Sequence, residues 1–315
     1  NFRKMGGLPG HPELGTDGVM ATTGPLGQGI GNAVGMALAA KIKKCDEMVY
    51  CLCSDGDLME GVASESISFA GRYKLNNLVL LWDDNGISID GTALVDCDVA
   101  MRMRAAGWRV LTVPGNDFNK INRALTQAAS SDVPTFIQCK NIIGRDSSVA
   151  GTPAAHGFGI SDSELMRLSE KFISPAGEKL WKIVASDAVA KYVCNPLDVS
   201  VADIPAPDSI AEISTRELSG KYLRSLVSSG VRLVGGSADL AASTNVKTDA
   251  HRDITPENFT GNFINYGVRE HAMGAIMNGL AIAGLRPYGS TFLVFSDYMR
   301  PSIRLAALSR LPVIY

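Results

Sequence analysis

The sequence predicts an α/β protein with two mostly parallel sheets flanked by helices, the second cut short. Three observations carry this. Short apolar runs with few polar interruptions alternate with helix-like stretches, the pattern of parallel strands buried on both faces. The alternation fades between 161 and 210 and then resumes. Finally, 315 residues, 46% hydrophobic and 20% charged, suffice for two domains with a sizeable core.

Residues 47–54 (EMVYCLCS) read as the first strand, in which Cys51 and Cys53 alternate with Leu52 as small core residues. A helical pattern follows through Leu58, Met59, Val62, Ile67 and Phe69-Ala70, ending at Gly71. Leu78 to Trp82 is the second strand, closed by Asp83-Asp84-Asn85-Gly86. Trp108 to Val113 is the third, 117–130 a helix, and Pro134 to Asn141 the fourth strand. Pro175, Pro196, Pro205 and Pro207 punctuate the next stretch, which reads as a connector with short helices over 162–173 and 177–193.

Beyond it the spacing predicts a helix over 211–229 and strands at 231–234 and 263–266. A helix over 269–284, a strand over 288–294 and a helix over 296–309 follow. Pro312 to Tyr315 begins another strand, and a strand without a successor leaves backbone groups unsupported. With Asn1 in place of an initiator Met, the chain is expected to be a piece of a longer one. The expected division is 1–160, a connector at 161–210, and an incomplete 211–315.

A net charge of −2 gives no general attraction to nucleic acid or to an anionic membrane. No apolar run approaches the ~20 residues of a membrane helix, and no charged-then-apolar leader opens the chain, so a cytoplasmic protein is expected. The six cysteines form no paired CxxC blocks of a zinc site.

Chemistry is expected at the carboxyl ends of the strands, where ligands gather in open α/β sheets. Asp55 follows the first strand and Asn85 the second. If those strands are neighbours, their ends lie ~5 Å apart, and a carboxylate and an amide oxygen can reach one Mg²⁺ or Ca²⁺. Gly56 lets the backbone approach a phosphate, with the N–H groups of the helix beginning near Asp57 pointing at it. DG and NG are also common turn dipeptides, and either alone reads as a turn. At two successive strand ends, 30 residues apart, they point to a site.

The pattern SDG…DDNGI resembles the thiamine-diphosphate motif. PGHPELG (9–15), TTGPLGQGIGNAVGMALAAK (22–41), DLMEG (57–61), DDNGISIDG (83–91), GGSADL (235–240) and YGVREHAMGAIMNG (266–279) resemble the transketolase family in its order. The departure is Ser54, where the family motif has its first glycine. The resemblance implies two thiamine-diphosphate-binding modules: a diphosphate-binding one (1–160) and an incomplete pyrimidine-binding one (211–315).

By position, it assigns Asp55, the Asn85 side chain and the Ile87 carbonyl to Mg²⁺, with Ca²⁺ as a second fitting ion. Gly56 would contact the diphosphate, and Gly24 and Leu26 would line the thiamine pocket. Thr23 as cap, Pro25 in the first turn, and the stripe Gly27, Gly31 and Gly35 support a close-packed helix there. Glu270 would hydrogen-bond the pyrimidine ring, which requires a carboxyl in an apolar pocket. As a residue alone, it also reads as a first-turn acid favoured by the helix dipole. Phe292, Phe295 and Tyr298 match aromatics that clasp the pyrimidine; their spacing by itself suits a core.

On the substrate side, His11 and His156 match catalytic histidines of the substrate channel, His156 near the diphosphate. Arg216 and Ser243 match holders of a sugar phosphate, and Asp239 an acid near the cofactor cleft. Glu60 and Glu65 match an acid chain coupling two active sites in a homodimer; otherwise they are solvated helix acids. His251 has no counterpart and is expected at the surface, His271 in helix packing or a polar contact, and Asp57 as an early-helix acid. The family's further histidines and its third domain have no match in this sequence, and the connector is short.

The implied activity is transfer of a two-carbon ketol unit from a ketose phosphate to an aldose phosphate, as in the pentose phosphate pathway. The rival within thiamine-diphosphate enzymes is a 1-deoxyxylulose-5-phosphate synthase or a 2-oxo acid dehydrogenase component, disfavoured by GHPE and GVREHAMGAIMNG. The rival from another class is a noncatalytic fragment that binds cofactor or dimerises.

Overall fold

The computed structural model describes residues 1–92, 98–157, 159–172 and 213–315. The expected helix over 177–193 lies outside these. The order is α1 (Gln28–Lys43), β1 (Val49–Ser54), α2 (Asp55–Met59), α3 (Gly61–Arg72), β2 (Leu78–Asp84), β3 (Ile87–Ser88), β4 (Gly91–Thr92) and α4 (Val99–Ala105). Then come β5 (Arg109–Pro114), α5 (Phe118–Ala129), β6 (Thr135–Lys140), a 3-10 turn at Pro153–His156 and α6 (Asp162–Phe172). The remainder is α7 (Thr215–Ser228), β7 (Val234–Ser237), β8 (Phe263–Asn265), α8 (Glu270–Ile282), β9 (Pro287–Ser290), a 3-10 segment at Leu293–Met299 and α9 (Arg300–Leu308).

Among the described residues two parallel sheets result, ordered β1-β2-β6-β5 and β8-β7-β9, with a small β3-β4 hairpin. Within the first sheet Ser54 lies opposite Asp83, so β1 and β2 end side by side. The predicted α/β class is therefore the observed one.

Helices α1 and α8 lock the two sheets together. A Cβ at Gly35 would sit 2.1 Å from the Ile276 carbonyl oxygen, and one at Gly279 would sit 2.0 Å from that of Asn32. Only glycine permits backbones this close. One hydrophobic core runs through the contact, from Ile30, Leu38 and Phe136 to Ile264, Met273 and Leu280. No described helix is long and apolar enough to cross a membrane.

Several expectations shift. α1 starts at Gln28 behind Gly27, so Thr23 does not cap it; the Thr23 N–H donates to the Pro12 carbonyl instead. The single helix expected through Leu58 and Gly71 is two, parted where Glu60 takes an extended conformation. Helix α4 and the β3-β4 hairpin were not predicted. The strand expected at 231–234 lies at 234–237, and that expected at 288–294 ends at Ser290. The 296–309 helix begins at Arg300, and Pro312 to Tyr315 gives only a bridge from Ile314 to Tyr288.

The first sheet is also not buried on both faces at its β1 edge. Cys53 points into the core, but Leu52 opposite is 80% exposed, because α5 covers that face over β5, β6 and Val79 rather than over β1.

Candidate functional site

Ser54 leaves β1 in an extended conformation and caps α2, and Asp55 is the first residue of that helix. Asp55 is 3% exposed. Its Oδ1 accepts from the Trp82 indole N–H at 3.2 Å and its Oδ2 from the Gly86 N–H at 3.0 Å. Both donors are neutral, and no Lys, Arg or His among the described residues pairs with it. Burial, then, pushes its carboxyl above the ordinary value; the bonds from Gly86 and Trp82 oppose this and the charge of Asp84 adds to it.

Asn85 Oδ1 accepts the Ile87 N–H at 3.0 Å, and its Nδ2 donates to Asp83 at 3.2 Å. The Asp55 and Asn85 oxygens keep unused lone pairs. A buried carboxylate that has no cationic partner among the described residues, and is bonded to the residue that follows Asn85, suits a hard dication that completes its shell with phosphate and water. No described cluster of three His, Cys, Asp or Glu side chains could hold a metal. A site with one carboxylate is of a different kind.

The turn before α1 folds onto this end. Gly24 has φ +127°, and a Cβ there would lie 2.7 Å from Cγ of His11, so the exposed His11 ring rests on that glycine. Leu26 lies over Gly56: its Cδ1 would be 3.1 Å from a Cβ there. Next to it, the Gly27 N–H donates to Asp57 Oδ1 at 2.7 Å, and Asp57 Oδ2 accepts from both the N–H and the hydroxyl of Ser54 at 2.8 Å. Asp57 is thus more than the early-helix acid expected from sequence. The 3-10 turn that ends in the exposed His156 packs against β3.

A second group forms at the start of α8. Glu270 is 8% exposed, and the Thr291 hydroxyl donates to its Oε1 at 3.0 Å. Glu65 Oε2 accepts the Ala272 N–H at 2.9 Å. Burial raises its carboxyl above the ordinary value, the Ala272 bond opposes this, and the nearby Glu270 charge adds to it. Glu60 is exposed at the break between α2 and α3. Phe292, Phe295 and Tyr298 follow one another at 6.1 and 6.3 Å between ring centroids, with Tyr298 67% exposed.

Other residues stand apart. Arg216 and Ser243 are exposed, as is Asp239, which takes a left-handed φ of +64° just after β7. His271 meets Gln28 at 2.7 Å, the polar contact expected. His251, expected at the surface, is instead 5% exposed: its Nδ1 accepts the Thr248 N–H at 2.9 Å and its Nε2 lies 2.9 Å from the Tyr288 hydroxyl. A loop held by its own histidine against β9 gives no hydrophobic pattern, which is why the sequence concealed it.

Among the described residues, no hydrogen bond, ion pair or ring contact joins Asp55 or Asn85 to Glu270 or the three aromatics. Trp82, Asp57 and Thr291 are the contacts missed in the sequence. Trp82 read as core, and only its place one residue before DDNG could have marked it. A cavity of about 530 Å³ also opens at these strand ends, lined by Leu52, Ser54, Asp57, Leu81, Asp83 and Asn141 among others; Asp55 does not line it.

Residues 1–192 match the family model described as the transketolase thiamine diphosphate binding domain, and 211–315 that of the transketolase pyrimidine binding domain. The chain is 36% identical to a Rhodobacter capsulatus transketolase and 38% identical to one from Aquifex aeolicus. In both cases all of this chain is covered, with 54% and 52% of the relative. Solved transketolases from Campylobacter jejuni and Leishmania mexicana superpose with TM-scores of 0.89 and 0.87, at 35% and 34% identity. They cover 99% and 100% of this chain and 55% of each structure. Pichia stipitis transketolase structures, also matched, are described as complexes with sedoheptulose 7-phosphate, xylulose 5-phosphate and fructose 6-phosphate. The chain spans about half the length of the curated relatives it matches.

Proposed function

The chain belongs to the transketolase family, and on that premise we propose that it binds thiamine diphosphate with Mg²⁺. With them it transfers a two-carbon ketol unit from a ketose phosphate to an aldose phosphate, as in the pentose phosphate pathway. The observation that carries this is the buried Asp55 carboxylate, held by two neutral donors beside Asn85 and, among the described residues, paired with no cationic side chain. Asp55, Asn85 Oδ1 and the Ile87 carbonyl would hold the ion, and Ca²⁺ fits the same oxygens. Gly56, Gly24 and Leu26 would line the cofactor.

When bound, thiamine diphosphate supplies the nucleophilic carbon and the electron sink for breaking the ketose C2–C3 bond. The chain's own residues position and polarise. Glu270 would hydrogen-bond the pyrimidine ring through Oε2, since Thr291 engages Oε1. Phe292, Phe295 and Tyr298 would clasp that ring, Phe295 by stacking, and exclude water. His11 and His156 would move protons at the substrate, with His156 also near the diphosphate and Asp239 at the cleft. Arg216, with Ser243, would hold the sugar phosphate through its bidentate fork. The sugar phosphates bound by the Pichia stipitis enzyme support that substrate class.

That no bond joins Asp55 to Glu270 among the described residues supports a homodimer, in which the diphosphate half (1–160) of one protomer faces the pyrimidine half (211–315) of its partner, with 161–210 as connector. Glu60 and Glu65 would link the two sites. A cytoplasmic location belongs to the same reading.

The test is direct. The purified chain, given thiamine diphosphate, Mg²⁺, xylulose 5-phosphate and ribose 5-phosphate, should form sedoheptulose 7-phosphate. Bound cofactor with no product, in a chain of the correct intact mass, would remove the catalytic claim.

A further inference from the structure

Two turns that are 30 residues apart in sequence are tied by one carboxylate. Asp57 takes the Gly27 N–H on Oδ1 at 2.7 Å and both donors of Ser54 on Oδ2 at 2.8 Å. Gly27 precedes α1, so its N–H is among those a helix start leaves without an intrahelical acceptor. The glycine is buried with φ +75°, and a Cβ would come within 2.8 Å of both Glu60 Cβ and Val62 Cγ1. Side-chain exchange cannot reseat that turn. Leu26, one residue earlier, is carried onto Gly56.

We propose that Asp57 is a positioning residue that sets the Gly24–Gly27 turn against the Ser54–Gly56 turn, so that both close on one ligand. This rests on reading the two turns as walls of a thiamine-diphosphate cleft. It also explains Ser54. A glycine there offers only its N–H, whereas Ser54 adds a hydroxyl that donates to Asp57 and accepts the Asp57 N–H at 3.2 Å. The serine and the aspartate work as a pair, and the departure from the family motif is a second bond in the tie.

On this reading inorganic pyrophosphate would touch only the Ser54–Gly56 side, while thiamine diphosphate would need both turns. Calorimetric titration of the full chain with each, at fixed Mg²⁺, therefore separates positioning from general damage. Asp57→Ala should weaken thiamine diphosphate by roughly tenfold, about the loss of one hydrogen bond to a charged group, and pyrophosphate by less than about threefold. The Gly27 amide should exchange with deuterium faster. Asp57→Asn, which keeps one accepting oxygen, should fall between and serves if the alanine variant does not fold. Ser54→Gly should weaken binding in the wild type and add little on Asp57→Ala.

Equal losses for the two ligands, or unchanged thiamine-diphosphate affinity with unchanged Gly27 exchange, would overturn the proposal. A wild-type chain that binds no thiamine diphosphate would overturn the cleft reading itself. Binding that ignores Asp57 overturns only the tie.

Discussion

The indole N–H of Trp82 donates to Oδ1 of Asp55 across 3.2 Å, from the strand that ends at Asp84, one residue before Asn85. A core aromatic therefore aims the buried Asp55 carboxylate at the strand ends. The carboxylate is oriented by β2 although it belongs to the helix after β1. Such a bond fixes a ligand's direction without neutralising its charge, which is left for a cation to balance.

Asp55→Ala should abolish Mg²⁺-dependent cofactor binding. At a cofactor concentration 100 times its Kd, the wild type gains about 2.7 kcal/mol of stability, and the variant should gain close to none. Thermal unfolding with and without thiamine diphosphate and Mg²⁺ reads this. An equal shift in both proteins would remove Asp55 from the metal site.

Gly35→Ala should destabilise the chain by about 1–3 kcal/mol or more, because the new methyl meets the Ile276 carbonyl, which is backbone and cannot turn away. Gly61→Ala is the control. It opens α3 with nothing within 4 Å of its Cβ, and should be neutral or stabilise by up to about 1 kcal/mol. Urea midpoints at unchanged slope distinguish the two.

Thr291→Val keeps shape and removes the hydroxyl that donates to Glu270. A bond worth about 1 kcal/mol in orienting that acid corresponds to a roughly fivefold fall in kcat, with sugar-phosphate KM little changed. Steady-state kinetics check it. A change confined to KM would place Thr291 on the substrate side.

How much was legible turns on what each residue type reveals. The apolar runs 49–53 and 78–82 announced parallel strands, and Asp55 and Asn85 were found just past their ends because polar residues after such a run stand out. Strand β7 was displaced by three residues because its centre is Gly235-Gly236, and glycine has poor strand propensity. It is needed there: a Cβ at Gly236 would lie 1.7 Å from the Ile264 carbonyl oxygen. Glu60 breaks the helix in an extended conformation that no local signal encodes. Leu52 looked buried because hydrophobicity alone cannot tell a covered face from an open one.

His251 gives a pH signature. Burial is the main cause, and the charge of Lys247 a smaller one, of a pKa held below the ordinary 6.5. The unfolded chain thus takes up that proton first, and the stability carried by the neutral ring is present above pH 6.5 and lost as pH falls through the lower folded value. Protonation would set a new N–H against the Thr248 donor. Burial lowers His271 as well, in the same direction. Between about pH 7 and pH 5 the wild type should lose up to about 1.4 kcal/mol per unit per group, and His251→Asn should lose measurably less. Urea unfolding across that range decides it; parallel losses would clear His251 of the effect.

The glycine-to-backbone contact between α1 and α8 also dictates an order of events during synthesis. The small-residue face of α1 is made early, and its cover, Ile276 and Gly279, comes about 240 residues later. At about 5–20 residues per second, that face emerges some 12–48 s before its partner exists. For that interval the first sheet has a helix whose packing surface faces water, and it is then that the nascent chain is most exposed to chaperones and to wrong partners.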